Sequence, residues 1–234
     1  MPGVGEGLVK IHATSVNPVD CKARAGVMSR FRPLPLPFIL GWDFSGTIAA
    51  LGEGVTEWTV GDEVYGHPPI FSSGTYAEYT IVPSGACARK PVSIDHAHAA
   101  AVPLTGLTAW QALFEHAQLQ PGQRVLIQSG AGGVGSFAIQ LAKARGLHVI
   151  STASAGNLDL LRELGADQVI DYNAVQFEKE VSGVDAVIDG MAGEVRERSW
   201  KTLQPGGLLI ALTGAPPTDA MAAERGYQIG RAHV

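Results

Sequence analysis

The chain has 234 residues, of which 46% are hydrophobic and 17% are charged, and its formal net charge is −5. This composition is that of an ordinary globular protein, and the length is enough for one large domain or two smaller ones. The acidic balance, without a cluster of Lys or Arg, argues against a nucleic-acid-binding protein.

Cysteine usage and apolar runs indicate a protein of the reducing cytoplasm. The two cysteines, Cys21 and Cys87, are far apart and lack Cys-x-x-Cys spacing, so neither a disulfide scaffold nor a structural zinc site is expected. No charged-then-apolar leader is present, and no apolar run reaches the roughly 18–20 residues that span a bilayer. We therefore expect a cytoplasmic protein without a membrane partner.

The first hundred residues predict a domain of short strands. Alternating runs at residues 8–14, 45–51 and 76–82 predict β-strands, with glycine-containing turns between them. The prolines of residues 31–38 remove backbone donors and impose extended geometry, so this stretch is predicted to be an extended connection. Residues 1–103 are therefore predicted to form a β-rich, barrel-like domain.

From residue 104 the pattern changes to helices alternating with strands. A first helix is predicted over residues 104–117, ending before Pro121-Gly122. The strands predicted after it are residues 124–130, 148–154, 168–172, 185–190 and 207–214, and the helices between them are 134–146, 157–165 and 194–203. This alternation predicts an α/β fold with a doubly wound parallel sheet. Nothing after Gly214 has the pattern of a sixth strand.

A glycine-rich loop joins the first of these strands to its helix. Residues 130–135, "GAGGVG", satisfy the pattern Gly-x-Gly-x-x-Gly. The alternative is a tight turn with no role in binding. However, the position between an apolar strand and an amphipathic helix is the one that a dinucleotide site requires. Glycines permit close approach of the pyrophosphate, and the helix N-terminus offers N–H groups to it. The loop therefore predicts a nicotinamide dinucleotide cofactor.

The end of the next strand bears on which nicotinamide is bound. An NAD site places a carboxylate there to hold the ribose 2′-hydroxyl, whereas this strand ends at Ser154 and no carboxylate precedes Asp159. Ser154 and Asn157 could hydrogen-bond to a 2′-phosphate, although no Lys or Arg lies closer than Arg162. NADPH is therefore predicted ahead of NADH.

The motifs, taken in order, resemble those of zinc-independent quinone oxidoreductases, the zeta-crystallin-like branch of the medium-chain dehydrogenase/reductase superfamily. The matching blocks are "SVNPVDCKARAG" (15–26), "ILGWDFSGTIAALGEGVTEWTVGDEVYG" (39–66), "YAEY" (76–79), "VPLTGLTAW" (102–110), "VLIQSGAGGVGSFAIQLAKARG" (125–146) and "LGADQVIDY" (164–172). The resemblance implies a GroES-like catalytic domain over residues 1–103 and a Rossmann NADP-binding domain over 104–228. It also implies a nicotinamide in the cleft between them and hydride transfer to a quinone or another activated double bond.

The resemblance further implies site residues. Asn17 would lie near the nicotinamide and the substrate, as a catalytic hydrogen-bond donor to the oxygen that gains charge; an Asx turn before Pro18 is the alternative. The implied cofactor-binding residues are Thr108, Gly130, Ala131, Gly132, Gly133, Val134, Gly135, Ser154, Asn157, Tyr172, Leu212, Thr213 and Gly214.

Zinc is not expected, because the positions of the zinc ligands hold other residues. Catalytic zinc needs three ligands such as Cys, His and Glu. The resemblance places Asn17 at the cysteine position and Trp42-Asp43 at the His-Glu position. Trp42 has two open interpretations, core packing and lining of the substrate cleft.

Both ends of the chain depart from the family pattern, which predicts a fragment. The catalytic domain would lack its first strands and the Rossmann domain its last strand. Residues 229–234, "IGRAHV", match the translation of a common sequencing-adapter oligonucleotide and are predicted to be a non-native tail. The full-length parent is expected to be a homodimer acting on a small molecule. An enoyl- or haloacrylate-type reductase, or a nicotinamide-binding protein without turnover, remain alternatives.

Overall fold

The computed structural model describes residues 1–30, 36–70, 72, 74–214 and 228–231. The chain divides into two compact units, Met1–Leu104 and Thr105–Val234, and each unit is built on a sheet of its own. Of the predicted extended connection over residues 31–38, residues 31–35 lie outside the described residues. No helix of the described part of the chain is long and apolar enough to cross a membrane.

The first unit is built on an antiparallel sheet with the strand order β4-β1-β2-β3-β5. Its strands are β1 (Glu6–Ala13), β2 (Phe44–Leu51), β3 (Glu63–Gly66), β4 (Tyr79–Pro83) and β5 (Cys87–Arg89), and its helices are α1 (Pro18–Arg24) and α2 (His96–Ala100). Val9 pairs with Ile48, and both are buried in its apolar core. A Cβ on Gly46 would lie 2.1 Å from the carbonyl oxygen of Lys10, so only glycine permits this approach of β1 and β2.

The second unit is built on a parallel sheet with the strand order β11-β10-β9-β6-β7-β8. Its strands are β6 (Arg124–Ile127), β7 (His148–Ala153), β8 (Gln168–Asp171), β9 (Val184–Asp189), β10 (Leu203–Ala211) and β11 (Gln228–Arg231). Its helices are α3 (Pro103–Trp110, which begins at the end of the first unit), a π-helix (Gln111–His116), α4 (Gly133–Ala144), α5 (Leu158–Glu163), α6 (Phe177–Glu180) and α7 (Gly193–Ser199). In order of sequence this is the 3-2-1-4-5-6 arrangement of the doubly wound dinucleotide fold. The predicted fold class is thereby confirmed.

Burial on both faces explains why the strands of this unit are continuously apolar. Val125 and Ile127 of β6 belong to one apolar cluster, whereas Leu126, which points to the opposite face, belongs to a second cluster. Alternate side chains of a strand point to opposite faces, so each face of the sheet is covered. The loops at the carboxyl edge of such a sheet are where ligands bind.

The prediction that the sheet has five strands is wrong, because β11 adds a sixth. Gln228 to Arg231 pair in parallel with Leu208 to Ala211 of β10. The four residues "QIGR" have no apolar pattern, and an edge strand is held by backbone hydrogen bonds to one neighbour, which do not depend on side chains. Ile229 to Arg231 of the predicted tail lie in this strand, and residues 232–234 lie outside the described residues.

Candidate cofactor-binding site

The loop between β6 and α4 can form only with glycine at two of its positions. A Cβ on Gly130 would lie 2.0 Å from Oγ of Ser151, and a Cβ on Gly135 would lie 2.3 Å from the carbonyl oxygen of Ser129. Both distances are far below van der Waals contact, so these glycines let the loop pack against β7 and let α4 pack against the loop. Ser129 itself has a φ of 58°, which turns the chain sharply at the end of β6.

The middle of the loop is partly exposed, since Gly132 is half-buried and Gly133 is exposed. Gly132 is the N-cap of α4, and the nearest atom to a Cβ placed on it is the carbonyl oxygen of Ser129 at 3.2 Å. Gly133 and Val134 follow in the first turn of the helix, whose N–H groups have no acceptor within the helix. A helix N-terminus with a glycine that lets a ligand approach the backbone fits a pyrophosphate, as the dinucleotide fold requires.

Helix α3 lies beside this loop. A Cβ on Gly133 would lie 3.0 Å from Cγ2 of Thr105. Thr108, the predicted cofactor contact, is buried one helical turn after Thr105. The structure therefore brings the helix that carries Thr108 next to the glycine loop.

A pocket opens next to the loop, at the carboxyl ends of β7 and β8. It holds about 300 Å³ of empty space, including its open mouth, which is at the small end of ligand pockets. The pocket is lined by Ser129, Ala131, Thr152, Ala153, Ser154, Asn157 and Tyr172. Four predicted cofactor contacts therefore meet here, and the size suits one half of a dinucleotide rather than the whole molecule.

Three of the lining residues, Ser129, Thr152 and Ala153, were not predicted as cofactor contacts. Thr152 is 2% exposed, and its hydroxyl donates to Oε1 of Gln128 across 2.7 Å. The Gln128 amide in turn donates to Oγ of Ser199. Ser129 directly precedes the glycine motif and Thr152-Ala153 directly precede the predicted Ser154, so their places in the sequence could have indicated them.

The pocket contains no positively charged side chain. Asn157 donates to Oγ of Ser154 across 3.2 Å, and the exposed Arg162 forms an ion pair with Asp159 at 2.6 Å. A phosphate bound in this pocket would depend on neutral hydrogen-bond donors from the residues that line it. The absence of a carboxylate among the same residues removes the usual repulsion of a 2′-phosphate.

The predicted residues Leu212, Thr213 and Gly214 follow β10, at the same edge of the sheet. The N–H of Leu212 donates to the carbonyl oxygen of Asp189 across 2.9 Å, and the Arg196 guanidinium donates to the carbonyl oxygen of Thr213. Asp189 and Arg196 were not predicted. An acidic residue that ends the strand sequence "VDAVID" directly after the apolar run "AVI" is a signal that could have indicated Asp189.

The first unit contains a separate polar cluster around Asp43, which is completely buried. Oδ2 of Asp43 accepts from Oγ of Ser15 and, at 2.7 Å, from Nδ2 of Asn17, while Oδ1 accepts from the backbone N–H of Leu104 at 2.7 Å. Burial raises the pKa of Asp43, and the hydrogen bonds from Ser15, Asn17 and Leu104 partly offset this effect. Three donors on one buried carboxylate are the arrangement expected of a structural anchor.

Asn17, the predicted catalytic hydrogen-bond donor, belongs to this polar cluster. Its Nδ2 has two hydrogens, and it donates to Oδ2 of Asp43 and to Oγ of Ser15. Its backbone N–H donates to Oδ2 of Asp20 across 2.6 Å, and Asn17 is the N-cap of α1. Both hydrogens of the side-chain amide are therefore donated within the polar cluster around Asp43.

Comparisons with known proteins identify the family. The family model of the alcohol dehydrogenase GroES-like domain matches residues 3–92, and that of zinc-binding dehydrogenases matches residues 133–228. The 2-methylene-furan-3-one reductase of Solanum lycopersicum is 40% identical over 90% of this chain and 56% of its own length. The chloroplastic quinone-oxidoreductase QR1 of Triphysaria versicolor is 33% identical over 92% and 68%. The chloroplastic NADPH-dependent alkenal/one oxidoreductase of Arabidopsis thaliana is 39% identical over 90% and 56%.

Solved structures give the same result. The quinone oxidoreductase of Coxiella burnetii has a TM-score of 0.90 at 36% identity, covering 99% of this chain and 74% of that chain. The Escherichia coli quinone oxidoreductase complexed with NADPH has a TM-score of 0.85 at 28% identity, covering 98% and 73%. The CurK enoyl reductase has a TM-score of 0.91 at 27% identity, covering 99% and 73%.

The chain belongs to the quinone-oxidoreductase-like branch of the medium-chain dehydrogenase/reductase superfamily. It spans little more than half the length of the tomato and Arabidopsis members named above.

The name of one matching family model mentions zinc, and the positions that the resemblance assigns to zinc ligands hold Asn17, Trp42 and Asp43 in this medium-chain dehydrogenase/reductase. Trp42 is fully buried in an apolar cluster with Ala23 and Leu104, so it packs in the core of its unit rather than facing a substrate. Asp43 already accepts three hydrogen bonds, and Asn17 is held by Asp43. Among the described residues, no group of three or more His, Cys, Asp or Glu side chains could hold a metal ion.

Proposed function

We propose that the protein to which this chain belongs is a zinc-free, NADPH-dependent reductase of quinones or of other activated double bonds conjugated to a carbonyl. The observation that carries the cofactor assignment is the loop at the start of α4. Gly130 and Gly135 are required there by packing, while Gly132 is half-buried and Gly133 is exposed, so a ligand can reach the backbone at the helix N-terminus. The pocket beside the loop then takes the adenosine half of the cofactor.

Each part of the second unit has a role in this proposal. The first-turn N–H groups of α4, from Gly133 onward, bind the pyrophosphate. Ser154 and Asn157 hydrogen-bond to the ribose and its 2′-phosphate, and the half-exposed ring of Tyr172 covers the adenine. When bound, NADPH supplies the hydride, and the protein supplies position and exclusion of water.

Names of the relatives support the substrate class. The tomato protein is named a reductase of a furanone that carries a methylene group, and the Arabidopsis protein is named for alkenals and alkenones. Two further relatives are named quinone oxidoreductases. All these acceptors have a carbon made electrophilic by a conjugated carbonyl, so hydride addition needs no Lewis acid. This agrees with the residues at the zinc-ligand positions, Asn17, Trp42 and Asp43.

A second candidate is enoyl reduction on the same scaffold. The CurK enoyl reductase is as similar in fold as the quinone oxidoreductases. An enoyl thioester is also an activated double bond, so the two candidates share the cofactor and differ in the acceptor. A nicotinamide-binding protein without turnover is the remaining alternative. For any of these, we propose a small-molecule partner, a cytoplasmic location and a homodimeric parent.

The test is a titration of the protein with NADPH and with NADH, followed by turnover assays. We expect NADPH to bind more tightly, and we expect its oxidation to accelerate on addition of a quinone or a 2-alkenal. A higher rate with a 2-enoyl thioester than with either acceptor would favour the second candidate. Binding without turnover of any acceptor would favour the cofactor-binding protein, and no binding of either nucleotide would contradict the proposal.

A further inference from the structure

A buried ion pair lies at the carboxyl edge of the second sheet, away from the adenosine pocket. Asp189, the last residue of β9, is completely buried, and Arg196 of α7 is 5% exposed. Nε of Arg196 lies 2.5 Å from Oδ2 of Asp189. Charged side chains are rarely buried this deeply, and removing one partner of such a pair leaves an uncompensated charge.

The ion pair joins two loops of the same edge. Oδ1 of Asp189 accepts from the N–H of Met191 at 2.8 Å and from the N–H of Ala192 at 3.1 Å, so the carboxylate fixes the loop after β9. The guanidinium of Arg196 donates to the carbonyl oxygen of Thr213, which fixes the segment after β10. One carboxylate and one guanidinium, themselves paired, therefore connect the loop after β9 to the segment after β10.

The backbone between these contacts is strained. Ala192 has φ 60° and ψ −169°, a conformation that non-glycine residues rarely adopt. Gly214 has φ 72°, and a Cβ on it would lie 2.8 Å from Cβ of Ala192 and 3.8 Å from a terminal nitrogen of Arg196. Strain of this kind persists where the surrounding structure enforces it, and it is common at ligand sites.

The position of this edge relative to the glycine loop determines which half of a bound dinucleotide would lie over the edge. The loop follows β6, in the middle of the strand order, and the adenosine pocket lies on the side of β7 and β8. The strand order reverses at β6, between β7 on one side and β9 on the other. A dinucleotide held by its pyrophosphate at the N-terminus of α4 extends in both directions from this point. Its second half must therefore run over the ends of β9 and β10, where Asp189 and Thr213 lie.

We propose that Asp189 and Arg196 are positioning residues that shape the half-site for the nicotinamide. Both side chains are too deeply buried to contact a ligand directly. They act instead through the loop at Met191 and Ala192 and through the backbone of Thr213. The inference rests on the proposed cofactor. It predicts that the ion pair controls binding of the nicotinamide half independently of the adenosine half.

The test compares two probes, NADPH and 2′,5′-ADP, which carries only the adenosine half. Binding of each is titrated to the wild-type protein and to Arg196→Gln and Arg196→Lys, and the fluorescence of bound NADPH reports the surroundings of the ring. We expect Arg196→Gln to weaken NADPH binding by about tenfold or more, because the Asp189 carboxylate is left buried without its partner and the loops that the pair connects are released. Binding of 2′,5′-ADP should stay within about twofold of the wild type.

Two further variants separate a positioning role from a general loss of structure. Arg198→Gln is the matched control, since Arg198 lies on the same helix and pairs with Glu178 through Nε and a terminal nitrogen; it should leave both affinities unchanged. Arg196→Lys keeps the charge and should recover part of the NADPH affinity. If Arg196→Gln fails to fold, Asp189→Asn takes its place in the same comparison.

The outcomes distinguish this inference from the proposed function. Equal losses of NADPH and 2′,5′-ADP binding in Arg196→Gln, or no loss of either, would overturn the positioning role while leaving the cofactor assignment intact. Failure of the wild-type protein to bind either probe would overturn the proposed function itself.

Discussion

The side-chain nitrogen of Asn17 lies 2.7 Å from Oδ2 of the completely buried Asp43 and donates a hydrogen bond to it. Because a carboxylate oxygen can only accept, this contact fixes which end of the Asn17 amide faces inward. Asp43 thus organises the turn between β1 and α1. The stability of the first unit should depend on it.

Replacement of Asp43 by Asn should destabilise the protein. The new amide would place an NH₂ group among donors from Ser15, Asn17 and the Leu104 backbone, so at least one buried donor would lose its acceptor. We expect the free energy of unfolding in urea to fall by about 1–3 kcal/mol. Asp159→Asn is the control, because its exposed ion pair with Arg162 should contribute little. Equal stability of the two variants would contradict the anchoring role.

The free energy of unfolding should fall in mild acid because the pKa of His12 is lowered in the folded protein. Its ring stacks on that of His96 with centroids 4.4 Å apart. Desolvation, followed by repulsion from His96 and from Lys10, lowers the pKa of His12, while Glu63 acts in the opposite direction. The unfolded chain then binds more protons than the folded one, so the contribution is complete above the ordinary pKa of 6.5 and is lost as the pH falls below it.

The measurement for His12 is the melting temperature between pH 8 and pH 5. We expect His12→Gln to flatten the decrease seen in the wild-type protein over this range, because the glutamine does not titrate. His116→Gln, which removes an exposed histidine, should leave the slope as it is. A wild-type slope that His12→Gln does not change would assign the pH dependence to other groups.

Replacement of Ala192 by Gly should stabilise the second unit. The backbone of Ala192 is in a region that glycine tolerates (φ 60°, ψ −169°). Relief of strain should outweigh the greater freedom of glycine in the unfolded chain, for a net gain of about 1 kcal/mol in the free energy of unfolding. Ala97→Gly, at an exposed helical position, should have the opposite sign. A loss of stability in Ala192→Gly would show that the conformation is not strained.

Replacement of Gly135 by Ala should disrupt the cofactor loop. The added methyl group would lie 2.3 Å from the carbonyl oxygen of Ser129 and 2.8 Å from Cα of Gly130, so α4 would have to move away from the loop. We expect NADPH affinity to fall by about tenfold or more, with a lower melting temperature. Gly156→Ala is the matched control, because no atom lies within 4 Å of the added group. Undiminished NADPH binding by Gly135→Ala would be inconsistent with the loop described.

A cation introduced beside the adenosine pocket should sharpen cofactor preference. Gly156 lies between Ser154 and Asn157, and its open surroundings can accept a long side chain. We expect Gly156→Lys to raise the ratio of NADPH to NADH affinity by about tenfold, since a charged donor to a phosphate is stronger than a neutral one. Gly156→Gln has similar length without the charge and should change the ratio much less. An unchanged ratio in Gly156→Lys would place the 2′-phosphate elsewhere.

Sequence pattern predicted the second unit well because its local signals are strong. The five strands from β6 to β10 were predicted from apolar runs, and the glycine loop has a fixed place between the strand β6 and the helix α4. β11 was missed because an edge strand of four residues needs only backbone pairing with Leu208 to Ala211. Backbone pairing of this kind leaves no periodic pattern of apolar residues in the sequence.

The candidate site was predictable only in part, for a similar reason. Residues adjacent to a motif, such as Ser154, could be placed by their order in the chain. The direction of the Asn17 amide depends on Asp43, which is 26 residues away, and the Asp189–Arg196 pair depends on how a strand end meets the next helix. Contacts of this kind are set by tertiary packing, so composition and spacing do not contain them.

The central place of β6 in its sheet also bears on how the chain folds. β6 is the first strand of its unit in the sequence, yet β7 and β9 pair with it from opposite sides. β6 therefore has neighbours on both flanks that come later in the chain, and its pairing with β9 cannot form before residue 184 is available. Such long-range closure slows folding, and a sheet in which one flank of β6 is still open exposes an unpaired strand edge of the kind that promotes aggregation.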